Sequence, residues 1–263
     1  RHRFLADAIT SQNGLDNVDI ITVGREQLMP HIPTMDPHER KLLDRHFQQR
    51  SRTEADAFGT DSVLKYEKVA KSYIHVNADK LNTKYVAQHI SGLGATVAIL
   101  IGPLMIRSPV MELLPTRTLN VHLGLSPRYR GSATLFWPSF FLEPWHIGCT
   151  VHFINAQPDA GAIVHQSGVS LSRGMDVHES AVSAIRQLAH ELSVLAPRLT
   201  SPDHPLRQKK QNLVGKTFLV RDFRPSHLIP VYDLFDGKVV DAVWPANGQL
   251  EYPTLFRENL EKQ

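Results

Sequence analysis

The stretch TVAILIGPLMIRSPVMELLPTRTLNVHLG, residues 96–124, contains a strand pattern, a short helix pattern and a second strand pattern in succession. The runs 96–102 and 118–124 are rich in Val, Ile and Leu, as buried strands are. The segment between them, 109–115, begins with a proline, which suits the first turn of a helix. Alternation of strand and helix is typical of a parallel sheet with helices packed on its faces.

The same alternation extends to both sides of this unit. Further strand-like runs are DIITVG (19–24), YIHV (73–76) and TVHFI (150–154), and NTKYVAQHISGLG (82–94) has a helical pattern. The sequence therefore predicts an α/β, Rossmann-like fold: a mostly parallel, twisted sheet with helices on both faces. In such a fold the ligand lies beyond the carboxyl ends of the strands.

The flanking segments set the expected domain limits. Residues 1–14 have a helical pattern, and because α/β domains commonly open with a strand, we expect a first strand upstream of Arg1. The stretch 176–199 is an amphipathic helix with Asp176 placed as its cap, and a polar, proline-containing connector follows from Thr200. We expect a catalytic domain over 1–199 and a small C-terminal extension over 200–263.

Composition excludes several classes of protein. The 263 residues are 42% hydrophobic and 21% charged, which excludes intrinsic disorder. A net charge of +3 is too small to indicate a nucleic-acid or membrane partner, and the longest apolar stretches are shorter than a membrane span. The single cysteine, Cys149, excludes an intrachain disulfide framework and suits the cytoplasm.

Asn120 and His122 are the first candidate functional residues. They are two positions apart on a predicted strand, so both side chains leave the same face. Gly124, Pro127 and Gly131 follow and predict a tight loop beside this pair. A carboxamide and an imidazole would thus converge on one small volume, although a structural pair of polar residues at a strand end is the alternative.

Asp159 is the third candidate, in the Pro-Asp-Ala-Gly turn after the strand TVHFI. On its own it reads as an ordinary turn residue. A buried carboxylate beside His122 would fix the tautomer of the imidazole and stabilise its protonated form. Together with Asn120 these groups suit acyl transfer, and because no Ser or Cys is placed as a nucleophile, we expect direct attack by an amine.

The fourteen histidines raise the alternative of a metal site. His122, His152, His165 and Asp159 are conceivable ligands, but no HExxH or His-x-His pattern is present, so we expect no metal. His152 and His165 are interpreted as packed strand residues, with His152 also a candidate for lining a ligand site. Residues 37–59 predict a charged surface helix with a short apolar face, or a lid or dimer contact.

These residues resemble the folate-dependent, 10-formyltetrahydrofolate-using formyltransferase superfamily. The Asn-x-His strand end of that family, followed by a proline-containing turn, matches Asn120, His122 and Ser126-Pro127. Its Asp-x-Gly turn matches Asp159-Ala160-Gly161. The resemblance covers residues 80–175 well and the flanks loosely, with two departures. Relatives often carry Ser-Leu-Leu-Pro where this chain has Gly-Leu-Ser-Pro, and the first strand of the family is expected upstream of Arg1.

The resemblance implies a Rossmann-like formyltransferase fold and transfer of formyl from 10-formyltetrahydrofolate to an amine. It makes His122 the general base, Asn120 the donor to the formyl oxygen, and Asp159 the residue that orients His122. The folate would lie against two loops and a histidine, namely Met105, Ile106, Arg107, His152, Asn155, Ala156, Gln157 and Pro158.

The loop Pro-Arg-Tyr-Arg-Gly (127–131) resembles the amino-sugar and tRNA branches of this family. The tail is short and weakly basic, which disfavours tRNA, so we expect a nucleotide-linked amino sugar held by Arg128, Tyr129 and Arg130. An amine such as N-hydroxyornithine in siderophore biosynthesis, or a folate-binding relative without turnover, are the alternatives. We expect neither nucleic acid nor membrane as a partner, and a homodimer formed through the tail is left open.

Overall fold

The computed structural model describes residues 1–10, 17–24, 35–59, 70–102, 104–212 and 214–258. Its helices are α1 (His2–Thr10), α2 (Pro37–Phe58), α3 (Lys84–Gly92), α4 (Val110–Leu113), α5 (Trp137–Phe140), α6 (Val177–Thr200), α7 (Leu228–Asp233) and α8 (Val239–Ala242). Its strands are β1 (Asp19–Val23), β2 (Ser72–Val76), β3 (Val97–Ile101), β4 (Arg117–His122), β5 (Tyr129–Gly131), β6 (Gly148–Phe153), β7 (Ile163–Gly168) and β8 (Lys216–Phe218).

Parallel pairing dominates the N-terminal half of the fold. The stretch 96–124 forms β3, α4 and β4, and β3 pairs with β4 in parallel, as predicted. β1 and β2 form a second parallel pair. The α/β class predicted from the sequence is confirmed.

The sheet at the site is mixed. Its strand order is β3-β4-β6-β7, and both β4–β6 and β6–β7 are antiparallel. β6 and β7 are joined by a loop with no helical crossover, which permits antiparallel pairing. This sheet therefore places the end of β4 next to a hairpin rather than between parallel neighbours.

Successive side chains of β4 alternate between the apolar core on one face of the sheet and the candidate site on the other. Leu119 and Val121 are fully buried in one large apolar cluster, together with Cys149 and Val151 of β6. Helices α1 and α6 pack on this cluster, and α6 contributes a row of buried leucines. Successive strand residues point to opposite faces, so Asn120 and His122 lie on the other side of the sheet.

Helix α6 begins as the sequence predicts. Asp176 accepts hydrogen bonds from the backbone N–H groups of His178 and Glu179, and Glu179 closes a capping box by accepting from the N–H of Asp176. α1 matches the predicted N-terminal helix over its described residues, whereas residues 11–14 of that prediction lie outside them.

The chain returns to the site after α6 ends at Thr200. Lys209 and Ile163 exchange two backbone hydrogen bonds of 2.8 Å, and β8 pairs in parallel with β5. β8 is only three residues long, and a 3₁₀ turn begins soon after it, at Val220. The boundary between a domain over 1–199 and an extension over 200–263 stays a prediction.

Within the described ranges, none of the helices combines the length and apolar character needed to cross a membrane.

Candidate active site

The carboxylate of Asp159 joins the predicted side chains into one cluster. Its Oδ1 atom accepts from Asn120 Nδ2 at 3.0 Å, and its Oδ2 atom lies 3.3 Å from His122 Nδ1. Oδ2 also accepts from the backbone N–H of Gly131 at 2.8 Å. The structure thus brings together the three residues that the sequence singled out and ties them to the loop after β4.

The pKa of Asp159 follows from these contacts. Burial by itself would raise the pKa of this carboxyl, but His122, His152 and the Gly131 N–H outweigh burial and lower it to about 2. Asp159 is therefore ionised across the physiological range. Its backbone is in the left-handed region, with φ 49°, a conformation that non-glycine residues adopt uncommonly.

His122 has an acceptor beside each ring nitrogen. Nε2 donates to the carbonyl oxygen of Tyr129 at 3.0 Å, while Nδ1 faces Asp159. An imidazolium donates from both nitrogens, so these two acceptors suit the protonated ring. Burial dominates nevertheless and lowers the pKa of His122 below its ordinary value, with Asp159 opposing the shift.

Asn120 is held with its amide nitrogen towards Asp159. One Nδ2 hydrogen goes to that carboxylate and the other to His152 Nε2 at 3.2 Å. His152 Nδ1 donates to the carbonyl of Phe153 at 2.8 Å, so Nε2 is the acceptor whenever this ring is neutral. The Asn120 Oδ1 atom is buried and has no hydrogen-bond partner among the described residues.

Cross-strand pairing explains why His152 joins the cluster. In the β4–β6 register Asn120 faces His152, and His122 faces Thr150. Thr150 Oγ1 donates to the carbonyl of Gly124 at 2.8 Å and accepts from the Ser126 N–H at 3.0 Å. Thr150 thereby fixes the start of the loop whose later residues contact His122 and Asp159.

Two glycines permit the close approach of these segments. A Cβ at Gly131, where φ is +90°, would overlap the carbonyl oxygen of Phe218 in β8. A Cβ at Gly161 would overlap the carbonyl oxygen of Phe153 in β6. Neither neighbour is a flexible side chain, so both sites require the absence of a Cβ.

The predicted folate loop 105–107 follows β3 and is held by Asn82. The Asn82 amide donates to the carbonyl of Met105 at 2.9 Å and its Oδ1 atom accepts from the Arg107 N–H at 2.7 Å. The side chains of Met105 and Arg107 are exposed, and that of Ile106 is half-buried. The sequence did not reveal Asn82 as a residue of the site, since it is only the first residue of the predicted helix 82–94.

The predicted folate turn after β6 is held locally. The Gln157 N–H donates to Asn155 Oδ1 at 3.0 Å, a local turn contact. Asn155, Ala156 and Gln157 are exposed and Pro158 is half-buried. The structure therefore leaves this turn accessible next to Asp159, and the folate contacts assigned to it stay predictions.

The three residues predicted to hold the acceptor have different environments. Arg128 is exposed and makes two hydrogen bonds to Glu143, of 2.8 and 2.5 Å. The Tyr129 ring is buried, and its hydroxyl also donates to Glu143. Arg130 is buried and donates to the carbonyls of Pro127 and Gly215 at 3.3 and 3.4 Å. Only Arg128 presents its guanidinium at the surface, and the substrate-binding roles stay predictions.

His165 lies apart from the cluster. It pairs with Val151 in the β6–β7 register, on the face that carries the apolar core, and its Nε2 atom lies 2.8 Å from Glu191 of α6. The described residues contain no group of three or more His, Cys, Asp or Glu side chains arranged to hold a metal ion.

A carboxamide, an imidazole and an ionised carboxylate gathered at a strand end define a site that can move a proton and hold a polar reacting group. A family model described as formyl transferase matches residues 40–196, more than half of the chain and including the whole cluster. The chain belongs to the formyl transferase family, and the predicted class of enzyme is confirmed.

Solved structures share this fold. The formyltransferase PseJ from Anoxybacillus kamchatkensis is 18% identical, with a TM-score of 0.53 over 85% of this chain and 97% of that one. A sugar N-formyltransferase from Shewanella sp FDAARGOS_354 is 15% identical, with a TM-score of 0.52 over 93% and 99% of the two chains. WlaRD, a sugar 3N-formyl transferase, is 15% identical, with a TM-score of 0.50 over 79% and 71%.

Proposed function

We propose that this protein transfers a formyl group from 10-formyltetrahydrofolate to the amine of a nucleotide-linked amino sugar. The observation that carries the proposal is the contact of Asp159 with both Asn120 and His122 within the segment that matches the family. The cytoplasm is the proposed location, and the free, buried thiol of Cys149 is compatible with it.

In the proposed reaction the amine nitrogen attacks the formyl carbon on N10 of the folate. His122 accepts the proton that the amine loses, and Tyr129 and Asp159 then accept hydrogen bonds from both nitrogens of the imidazolium. The bond between the formyl carbon and N10 breaks, and the proton ends on N10 of tetrahydrofolate. A positioned general base typically contributes about 10²–10⁴-fold to the rate of such a step.

Asn120 is proposed to donate to the formyl oxygen as negative charge develops there. Its Nδ2 hydrogens are shared between Asp159 and His152, so the formyl oxygen replaces His152 as the acceptor of the second hydrogen. The bond to His152 is the longer of the two, 3.2 Å against 3.0 Å. One donor to a developing oxyanion is worth about 10²–10³ in rate.

The folate and the acceptor are supported by the neighbouring structures. PseJ was solved with UDP-4,6-dideoxy-4-formamido-L-AltNAc and tetrahydrofolate, and WlaRD with dTDP and 5-N-formyl-THF. In this chain the exposed turn 155–158 and loop 105–107 are proposed to hold the folate through backbone groups, with His152 beside them. Arg128, Tyr129 and Arg130 are proposed to hold the acceptor, with the exposed Arg128 facing its phosphates.

The test is incubation with 10-formyltetrahydrofolate and a pooled set of nucleotide-linked amino sugars and amino-acid amines, followed by mass spectrometry. A formylated nucleotide sugar supports the proposal. If the product is instead a formylated amine of the N-hydroxyornithine type, the proposed acceptor is wrong. If the protein binds folate without turnover, it is a non-catalytic relative and the proposed reaction is wrong. The variant His122→Ala should lose the product, whereas His190→Ala, at an exposed position on α6, should retain it.

A further inference from the structure

Gln211 reaches the site from the connector after α6, outside the segment that matches the family model. Its side chain is buried, with 6% of its surface exposed. The Nε2 atom donates to the carbonyl oxygen of Asp159 at 2.9 Å and to that of Gly161 at 2.7 Å. Both amide hydrogens are thus used on one turn, Asp159-Ala160-Gly161.

This turn needs support from outside itself. Asp159 has a left-handed backbone, and Gly161 lies so close to β6 that a Cβ would overlap the Phe153 carbonyl. A residue in such a conformation persists where its surroundings fix it. Two hydrogen bonds from one planar carboxamide fix the carbonyls of Asp159 and Gly161 relative to each other. They thereby also fix the direction in which the Asp159 side chain projects from the backbone.

The position of Gln211 is itself fixed by backbone pairing. Lys209 and Ile163 exchange two backbone hydrogen bonds of 2.8 Å, which align the connector with the start of β7. Ile163 lies two residues after Gly161, and Gln211 lies two residues after Lys209. The backbone pairing of Lys209 with Ile163 therefore places the Gln211 carboxamide next to the turn.

We propose that Gln211 is a positioning residue, which holds the Asp159 turn so that the carboxylate stays against His122 and Asn120. Its importance for catalysis rests on the proposed function, but its effect on His122 does not. Loss of both hydrogen bonds should let the carboxylate move away from the imidazole. The imidazolium then loses a negative neighbour, so protonation of His122 becomes less favourable.

The experiment measures the titration of His122 directly, in protein labelled with ¹⁵N-histidine, by NMR of the ring nitrogens. The charged or titratable groups that face His122 are Asp159, His152 and Arg130. Gln211→Met keeps the length of the side chain and removes both donors. Gln187→Met is the matched control, because Gln187 also donates a side-chain hydrogen bond, at 2.8 Å, but to Glu191 of α6.

In Gln211→Met we expect the pKa of His122 to fall by at least about 0.5, which corresponds to a weakened carboxylate neighbour. We expect kcat to fall about tenfold with KM for the folate nearly unchanged, since the variant removes no group that touches the folate. Gln187→Met should leave both quantities at the wild-type values. If Gln211→Met does not fold, Gln211→Asn, whose shorter amide cannot reach both carbonyls, should shift the pKa in the same direction.

An unchanged His122 pKa in a folded Gln211 variant would overturn the proposal, as would an equal shift in Gln187→Met. Failure of the proposed function looks different. In that case the wild type forms no formylated product, while the His122 titration still responds to substitution at Gln211.

Discussion

The Nε2 atom of His122 lies 3.0 Å from the carbonyl oxygen of Tyr129. A carbonyl can only accept, so the ring nitrogen must donate for this contact to be favourable. With Asp159 beside Nδ1, both neighbours of the ring stabilise its protonated form, while burial favours the neutral form. His122 can therefore accept a proton, and the Tyr129 carbonyl and the Asp159 carboxylate then stabilise the protonated ring.

Replacement of Asp159 by Asn should remove the charge that opposes burial. We expect the pKa of His122 to fall further and kcat to drop by about 10²-fold or more, by analogy with general-base magnitudes. The acid limb of the pH–rate profile, where His122 becomes protonated and can no longer act as a base, should move to lower pH. A variant with the wild-type limb and rate would show that Asp159 does not act through His122.

Asn120 offers a test of which end of the carboxamide matters. Asn120→Ala and Asn120→Asp both remove the Nδ2 donors, and each should lower kcat by about 10²–10³-fold if the amide donates to the formyl oxygen. Asn120→Asp also places a second carboxylate beside Asp159 and should lower the thermal midpoint of unfolding. If Asn120→Asp retains full activity, the unpartnered Oδ1 atom and not Nδ2 is the functional group.

The sequence alone predicts that Asn120 and His122 lie together in the site, because this follows from the periodicity of a strand. The two-residue spacing of Asn120 and His122 places both on one face, and the β4–β6 register confirms this arrangement. The register also faces Asn120 with His152, a pairing that no sequence pattern indicates. It depends on the path of the long connection between β4 and β6, which tertiary contacts determine.

The residues that the sequence did not reveal each make two side-chain hydrogen bonds to the backbone. Asn82, Thr150 and Gln211 each fix a loop of the site by contacting main-chain groups of residues distant in the sequence. Such contacts leave no periodicity and no local motif. The short apolar face predicted for residues 37–59 includes His46, which the structure shows buried in α2 and hydrogen-bonded to Tyr232, a contact that the sequence does not indicate.

Gly161→Ala should damage both stability and activity. The added Cβ would overlap the carbonyl oxygen of Phe153, and because that oxygen is a backbone atom of β6, β6 or the Asp159 turn must shift. We expect a loss of several kcal/mol in the free energy of unfolding, larger than the roughly 1–3 kcal/mol of ordinary overpacking. Gly92→Ala is the control: its Cβ meets nothing within 4 Å, and it should be neutral or slightly stabilising. Equal urea midpoints for the two variants would contradict the close approach.

Acidification should destabilise the protein through the network of His46, Tyr232 and His178. The Tyr232 hydroxyl lies 2.8 Å from His46 Nδ1 and 3.0 Å from His178 Nε2, where one neutral ring can accept and the other donate. Burial lowers the pKa of His46 to about 2 and that of His178 to about 4, from 6.5. Below pH 6.5 the unfolded chain therefore binds protons that the folded chain does not, and stability falls as the pH drops towards 4.

The free energy of unfolding should change by up to about 1.4 kcal/mol per pH unit for each such histidine. Urea unfolding at pH 7, 6 and 5 measures it: His46→Gln should reduce the slope by about one proton, whereas the exposed His190→Gln should leave it unchanged. Stability that is independent of pH between 7 and 5 would show that these histidines are not held neutral by the fold.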